Sequence, residues 1–176
     1  RSSPATMYMH VDGHGDAVKL ASALHAALAK SKTPLTAAAA GAPPPVELDT
    51  AAIERTLKAK GSNNGGVYQF NIPRADPPKA GGAAIPTSMG SAIAINFQPT
   101  GGGKAAVTGD FVLTANEVNP VIQALQRGGI EVTALHNHML DDEPRLFFMH
   151  FWANDDAQAL ARGLRSALDQ VKTSAP

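Results

Sequence analysis

The chain has 176 residues, with 15 basic and 15 acidic side chains and no formal net charge. That balance argues against a phosphate-binding surface, and hence against nucleic acid as a partner. The absence of cysteine excludes disulfides, thiol catalysis and cysteine-type zinc sites, and no apolar run approaches the ~18 residues a membrane span needs. Hydrophobic residues make up 44% but aromatics only 5%, so a core must be filled mainly by Ala, Val, Leu and Ile.

The first elements belong to an internal match. Residues 7–33 align without gaps on residues 147–173, at a constant offset of 140. Identical pairs include Met9/Met149, His10/His150, Asp16/Asp156, Leu20/Leu160, Leu24/Leu164 and Leu28/Leu168. A short strand followed by an Ala-rich amphipathic helix fits both copies, so the chain reads as carrying an internally duplicated βα unit. Residues 1–34 then read as the closing strand and helix of a truncated first repeat, and a start at Arg1 reads as that of a fragment. Residues 35–47 are Ala/Pro-rich and read as a linker; residues 48–176 hold a complete second repeat. Strand 7–12 is expected to pair with the sheet of the second repeat, with the missing N-terminal part, or with another chain, since proteins rarely leave a strand edge bare.

In the second repeat Asp49 is placed to cap a short helix over 50–60, with Ile53 and Leu57 four apart. Val67 to Ile72 alternates as a strand, and the Pro- and Gly-rich run 73–90 predicts a long loop. Residues 92–97 and 104–113 alternate on either side of Gly101-Gly102-Gly103 and predict a hairpin. Asn119-Pro120 predicts the start of a helix that Gly128-Gly129 ends. Strands are expected over 130–140 and 145–152, joined by a turn at 141–144. Asn154 or Asp155 is expected to cap a last helix over 155–171. The result is an α+β domain, an antiparallel sheet with helices packed on it.

Three of six histidines fall in the last predicted hairpin. His136 and His138 are two apart and so share a strand face, together with Ile130, Val132, Ala134 and Leu140. The turn at 141–144 is expected to bring His150 opposite residues 135–136. The three ring nitrogens are then expected within roughly 4 Å of one another, the ligand type and number of a zinc or copper site with an open fourth position. Hydrogen-bonded imidazoles contacting a small-molecule ligand are the alternative. Glu117, in Thr114-x-x-Glu117, fits a capping box, and otherwise is the candidate general base or fourth ligand. Asp110 reads equally as a turn, strand-end or site residue. Arg74 reads as a solvated loop residue or an anion contact, and His14 and His25 as surface residues.

The run GDFVLTANEVNPVIQALQRGGIEVTALHNHMLDDEPRLFFMHFWANDDAQALARGL, residues 109–164, resembles the LppY/LpqO-like family of bacterial proteins, most specifically in ALHNHML and MHFW. The likeness extends over most of residues 66–170. It implies an exported protein, periplasmic or extracellular, with the domain often present twice, and it assigns no activity. The expected function is therefore an exported protein that binds a transition metal or small ligand through the histidine cluster. A metal-dependent enzyme using the same cluster and a non-catalytic envelope module are the competing readings.

Overall fold

The computed structural model describes residues 9, 11, 13–32, 34–36 and 41–174. The chain divides into two compact units, Arg1–Ala42 and Pro43–Pro176. In the first, helix α1 (Ala17–Leu28) begins at Asp16, whose side chain accepts a hydrogen bond from the Lys19 N–H at 2.9 Å. No residue of α1 is buried. Most of the strand expected over 7–12 lies outside the described residues, and with it the question of what that strand pairs with.

The second unit opens with α2 (Thr50–Leu57), capped by Asp49 as expected; Ile53 and Leu57 are its buried pair. It ends at Lys58, which takes the left-handed conformation, short of the residue 60 expected. A hairpin follows, β1 (Gly61–Asn64) and β2 (Val67–Pro73). The run 74–90 contains two short strands, β3 (Lys79–Ala80) and β4 (Ala83–Ala84). Next come the long strands β5 (Ala92–Gly101) and β6 (Lys104–Thr114), then α3 (Ala115–Arg127). The chain closes with β7 (Glu131–His136), β8 (Asp142–Glu143), β9 (Leu146–Asp156) and α4 (Ala157–Leu168).

Six strands form one sheet in the order β1-β2-β5-β6-β9-β7, with every neighbour antiparallel. β4, β3 and β8 make a second, three-stranded sheet. The antiparallel α+β class expected from the alternating patterns is what the chain adopts. Alternation gives the large sheet two unlike faces. Phe70, Ile72, Ile93, Ile95, Phe97, Val107, Phe111, Met149 and Phe151 are buried on one, in a single core with the apolar stripes of α2, α3 and α4. The opposite face carries Gln69, Asn96, Thr108 and Trp152 in one transverse row, and Asn71, Ala94, Asp110, His150 and Ala134 in the next. Thr108 and Asn71 on it are exposed, and so is Trp152, so water reaches this face.

The last helix is capped by Asp156 rather than by Asn154 or Asp155, because β9 stays paired with β6 through Asp156. Two further boundaries differ from expectation for definite reasons. Helix α3 starts at Ala115 rather than at Pro120, because Thr114 and Glu117 form the complete capping box. Pro120 then falls just beyond the first turn, where it forfeits one backbone bond but leaves the rest of the helix intact. Strand β7 stops at His136 rather than at Leu140, and a bulge between Val132 and Ala134 breaks its alternation. Val132 pairs with Phe151 of the core face, whereas Ala134 pairs with His150 of the open face. The expected common face of Ile130, Val132, Ala134 and His136 therefore does not exist: one extra residue turns the second half of the strand over.

Candidate metal centre

His150 sits in the middle of β9, where both flanking strands fix its direction. It pairs with Asp110 of β6 on one side and Ala134 of β7 on the other, one position from the register expected. Its Nδ1 lies 3.2 Å from the Gly109 carbonyl oxygen. A carbonyl only accepts, so this contact needs a proton on Nδ1 and leaves the Nε2 lone pair outward. His136 pairs with Phe148 and so lands on the same open face, beside His150, because the bulge has turned it there.

His138 arrives differently. It lies past the end of β7, in the segment 137–145 that leads through β8 to β9. The Asn137 side chain donates to the Leu146 carbonyl at 2.5 Å, and buried Asp142 accepts from the Leu146 N–H at 2.6 Å. Arg145 donates to the Leu140 carbonyl at 2.6 Å and to Asp142 at 3.2 Å. These bonds fold the segment back, and the His138 ring lies flat on Phe148, centroids 3.5 Å apart and planes inclined by 2°.

The three imidazoles thus converge from two strands and one loop. His136 stands 4.9 Å from His138 and 4.8 Å from His150 between ring centroids. One nitrogen of each lies within 4.8 Å of the others, and all three residues are half-buried. That spread exceeds the ~4 Å expected, and the roughly 3.4 Å between two nitrogens sharing a tetrahedral zinc at ~2.05 Å. The rings lie stacked, their planes inclined by 23° and 21°, so sharing one ion requires the rings to turn their nitrogens toward it as well as to approach. Among the described residues no other group of three or more His, Cys, Asp or Glu is gathered closely enough to hold a metal ion.

Asp110 belongs to the same place. Its Oδ2 is 3.8 Å from His138 Nε2 and its Oδ1 3.9 Å from His150 Nδ1. It lies well inside β6, so it is neither a turn nor a strand-end residue. Local sequence gave no way to decide this, because its partner His150 is 40 positions away and meets it only through the β6–β9 register.

Glu117 is engaged elsewhere. Its carboxylate accepts from Arg74 at 2.7 and 3.3 Å, from the Thr114 N–H at 2.7 Å and from the Lys172 N–H at 3.2 Å. Burial pushes this carboxyl up, but those hydrogen bonds outweigh burial and hold it below its ordinary value. It secures the start of α3 and ties it to Arg74. Arg74 is buried rather than solvated, and also donates to the Val112 carbonyl at 2.8 Å and to Asp76 at 2.8 Å. His14 and His25 are exposed, while His10 lies outside the described residues.

An antiparallel α+β domain with one open sheet face and a three-histidine cluster on that face is the class that fold and site define. The chain belongs to a family described as a domain of unknown function, DUF1259, which matches residues 1–30 and 51–170. No curated protein matches it, and no solved structure does. No helix among the described residues is long and apolar enough to cross a membrane.

Proposed function

We propose that this domain binds one transition-metal ion, zinc or copper, through His136, His138 and His150. The observation that carries the reading is the convergence of three half-buried imidazoles, each offering a nitrogen within 4.8 Å of the other two, on a sheet face open to water. Neutral imidazole is the commonest protein ligand for both metals, and three such ligands leave a coordination position for water or a small molecule. Binding is favoured over catalysis because Glu117, the candidate base, is committed to Arg74 and the start of α3. The likeness of residues 109–164 to LppY/LpqO-like proteins supports a periplasmic or extracellular setting.

Elemental analysis of the purified chain after equilibration with zinc or copper tests the reading. One equivalent of metal in the wild type, lost in His136→Ala, is the expected result. A wild-type chain that retains no stoichiometric metal overturns it.

A further inference from the structure

We infer that Asp110 is a positioning residue that sets which nitrogen His138 offers to a ligand, an inference that deepens the metal-binding reading above. The Asp110 side chain projects from β6 onto the open face and lies between two of the three rings. Its Oδ2 faces His138 Nε2 at 3.8 Å and its Oδ1 faces His150 Nδ1 at 3.9 Å. Both side chains of the first pair are largely shielded, with 18% and 19% of their surfaces exposed, so the carboxylate acts through little intervening water.

A carboxylate can only accept. Of the two neutral forms of an imidazole, it stabilises the one that turns an N–H toward it. For His138 that is the form protonated on Nε2, which leaves the lone pair on Nδ1. For His150 it is the form protonated on Nδ1, which the Gly109 carbonyl already selects at 3.2 Å. The two influences on His150 agree. On His138, Asp110 is the acceptor that the geometry supplies to Nε2. A ring rotation that shortens 3.8 Å to the ~2.8 Å of a charge-assisted bond completes the contact. Outer carboxylates that orient a ligating histidine typically matter by 10–100-fold in metal affinity.

The two histidines therefore respond differently to loss of the carboxylate. In Asp110→Ala, His138 loses the carboxylate that faces its Nε2, whereas His150 keeps the Gly109 carbonyl at its Nδ1. The experiment uses the full chain, labelled with nitrogen-15 and free of metal, and reads each ring's tautomer from two-bond proton–nitrogen correlations. Wild type is expected to show His138 protonated on Nε2 and His150 on Nδ1. Asp110→Ala is expected to mix the His138 forms while His150 stays as it was, and to weaken zinc binding 10–100-fold by chelator competition. The near-isosteric Asp110→Asn, whose amide oxygen still accepts, is expected to restore part of the His138 preference. It also serves as the informative variant if Asp110→Ala does not fold. A wild-type His138 already protonated on Nδ1, or one unchanged by both variants, overturns the inference. The expected tautomers in a chain that takes up no zinc would instead overturn the metal-binding reading and leave the role of Asp110 standing.

Discussion

Gly128 and Gly163 bring α3 and α4 into backbone contact: a Cβ on Gly128 would stand 2.8 Å from the Gly163 Cα, and one on Gly163 would stand 3.1 Å from the Gly128 Cα. Neither glycine is there for its own backbone freedom, since Gly128 has φ −81° and Gly163 lies within a helix. Space is the constraint. Gly128→Ala is expected to cost the ~1–3 kcal/mol of overpacking, with little to offset it. Gly163→Ala meets a similar clash, partly offset by the ~1 kcal/mol that alanine gains over glycine inside a helix. Thermal unfolding followed by circular dichroism should therefore rank wild type above Gly163→Ala, and that above Gly128→Ala. Each kcal/mol is worth about 2–4 °C in a chain of this size. A Gly128→Ala protein as stable as the wild type would show that the helices have room to part.

Acid should loosen the junction between α2 and the first hairpin. Glu54 accepts from the Lys60 ammonium at 2.9 Å, the Gly61 N–H at 3.0 Å and the Tyr68 hydroxyl at 2.9 Å. Led by the Lys60 bond, these pull its carboxyl from 4.5 down to about 2. A carboxyl whose folded value is depressed contributes stability above its unfolded value and loses it as pH falls through the folded one. The window is thus pH 4.5 down to about 2. Glu117, also held low, adds to the loss in the acid range. Urea midpoints measured across that window should fall in wild type and fall less steeply in Glu54→Gln. Parallel curves would mean that the Glu54 bonds do not survive in solution.

Zinc should raise the thermal midpoint of the wild type and not that of His136→Ala. A ligand held at 100 times its dissociation constant stabilises by about 2.7 kcal/mol. Acidification should erode the effect, because protons compete for the same imidazole lone pairs. An equal rise in both proteins would place the zinc somewhere other than the cluster.

Much of this architecture is written locally. The alternation through 92–97 and 104–113 marks a pleated hairpin, and the observed strands β5 and β6 only lengthen it. The strand–turn–strand pattern of 130–152 already brings His136 and His138 near His150, although β7 ends at His136 and His138 arrives on the loop that follows. What is not legible depends on distant or competing chemistry. Pro120 looks like a helix start until the Thr114–Glu117 capping box is allowed to win. Arg74 looks solvated, since nothing near it in sequence announces that Glu117 and the Val112 carbonyl will receive it. The bulge at 132–134 leaves no mark in composition, yet it decides which face His136 occupies. Asp110 joins the site only because β9 returns beside β6 after an intervening helix, strand and loop.

The last expectation concerns the kinship of α1 and α4. Both ends of α1 (Ala17–Leu28) differ by 140 from those of α4 (Ala157–Leu168), and each helix is capped by an aspartate that accepts from the N–H three residues on. The buried positions of α4 are Ala157, Leu160, Ala161, Gly163, Leu164, Ala167 and Leu168. Their counterparts in α1 are Ala17, Leu20, Ala21, Ala23, Leu24, Ala27 and Leu28, identical except for Ala23 in place of Gly163. A shared ancestry as repeats predicts that the α1 sequence can do the work of α4. Replacing residues 157–168 by AVKLASALHAAL within the full chain would add one methyl against Gly128. It would also remove the Arg165 bond to the Leu57 carbonyl, 2.8 Å long, while the exposed bonds of Gln158 to Asp49 and of Arg165 to Asp169 go too, at little cost. Those losses amount to roughly 2–4 kcal/mol, about 1–3 from overpacking and about 1 from the hydrogen bond. The chimera should therefore unfold cooperatively at a lower temperature. A control helix of the same composition, with its leucines moved off the stripe, should not fold, because the core would face polar groups it cannot satisfy. If the chimera behaves like that control, the likeness of the two helices is compositional, and the repeat reading falls with it.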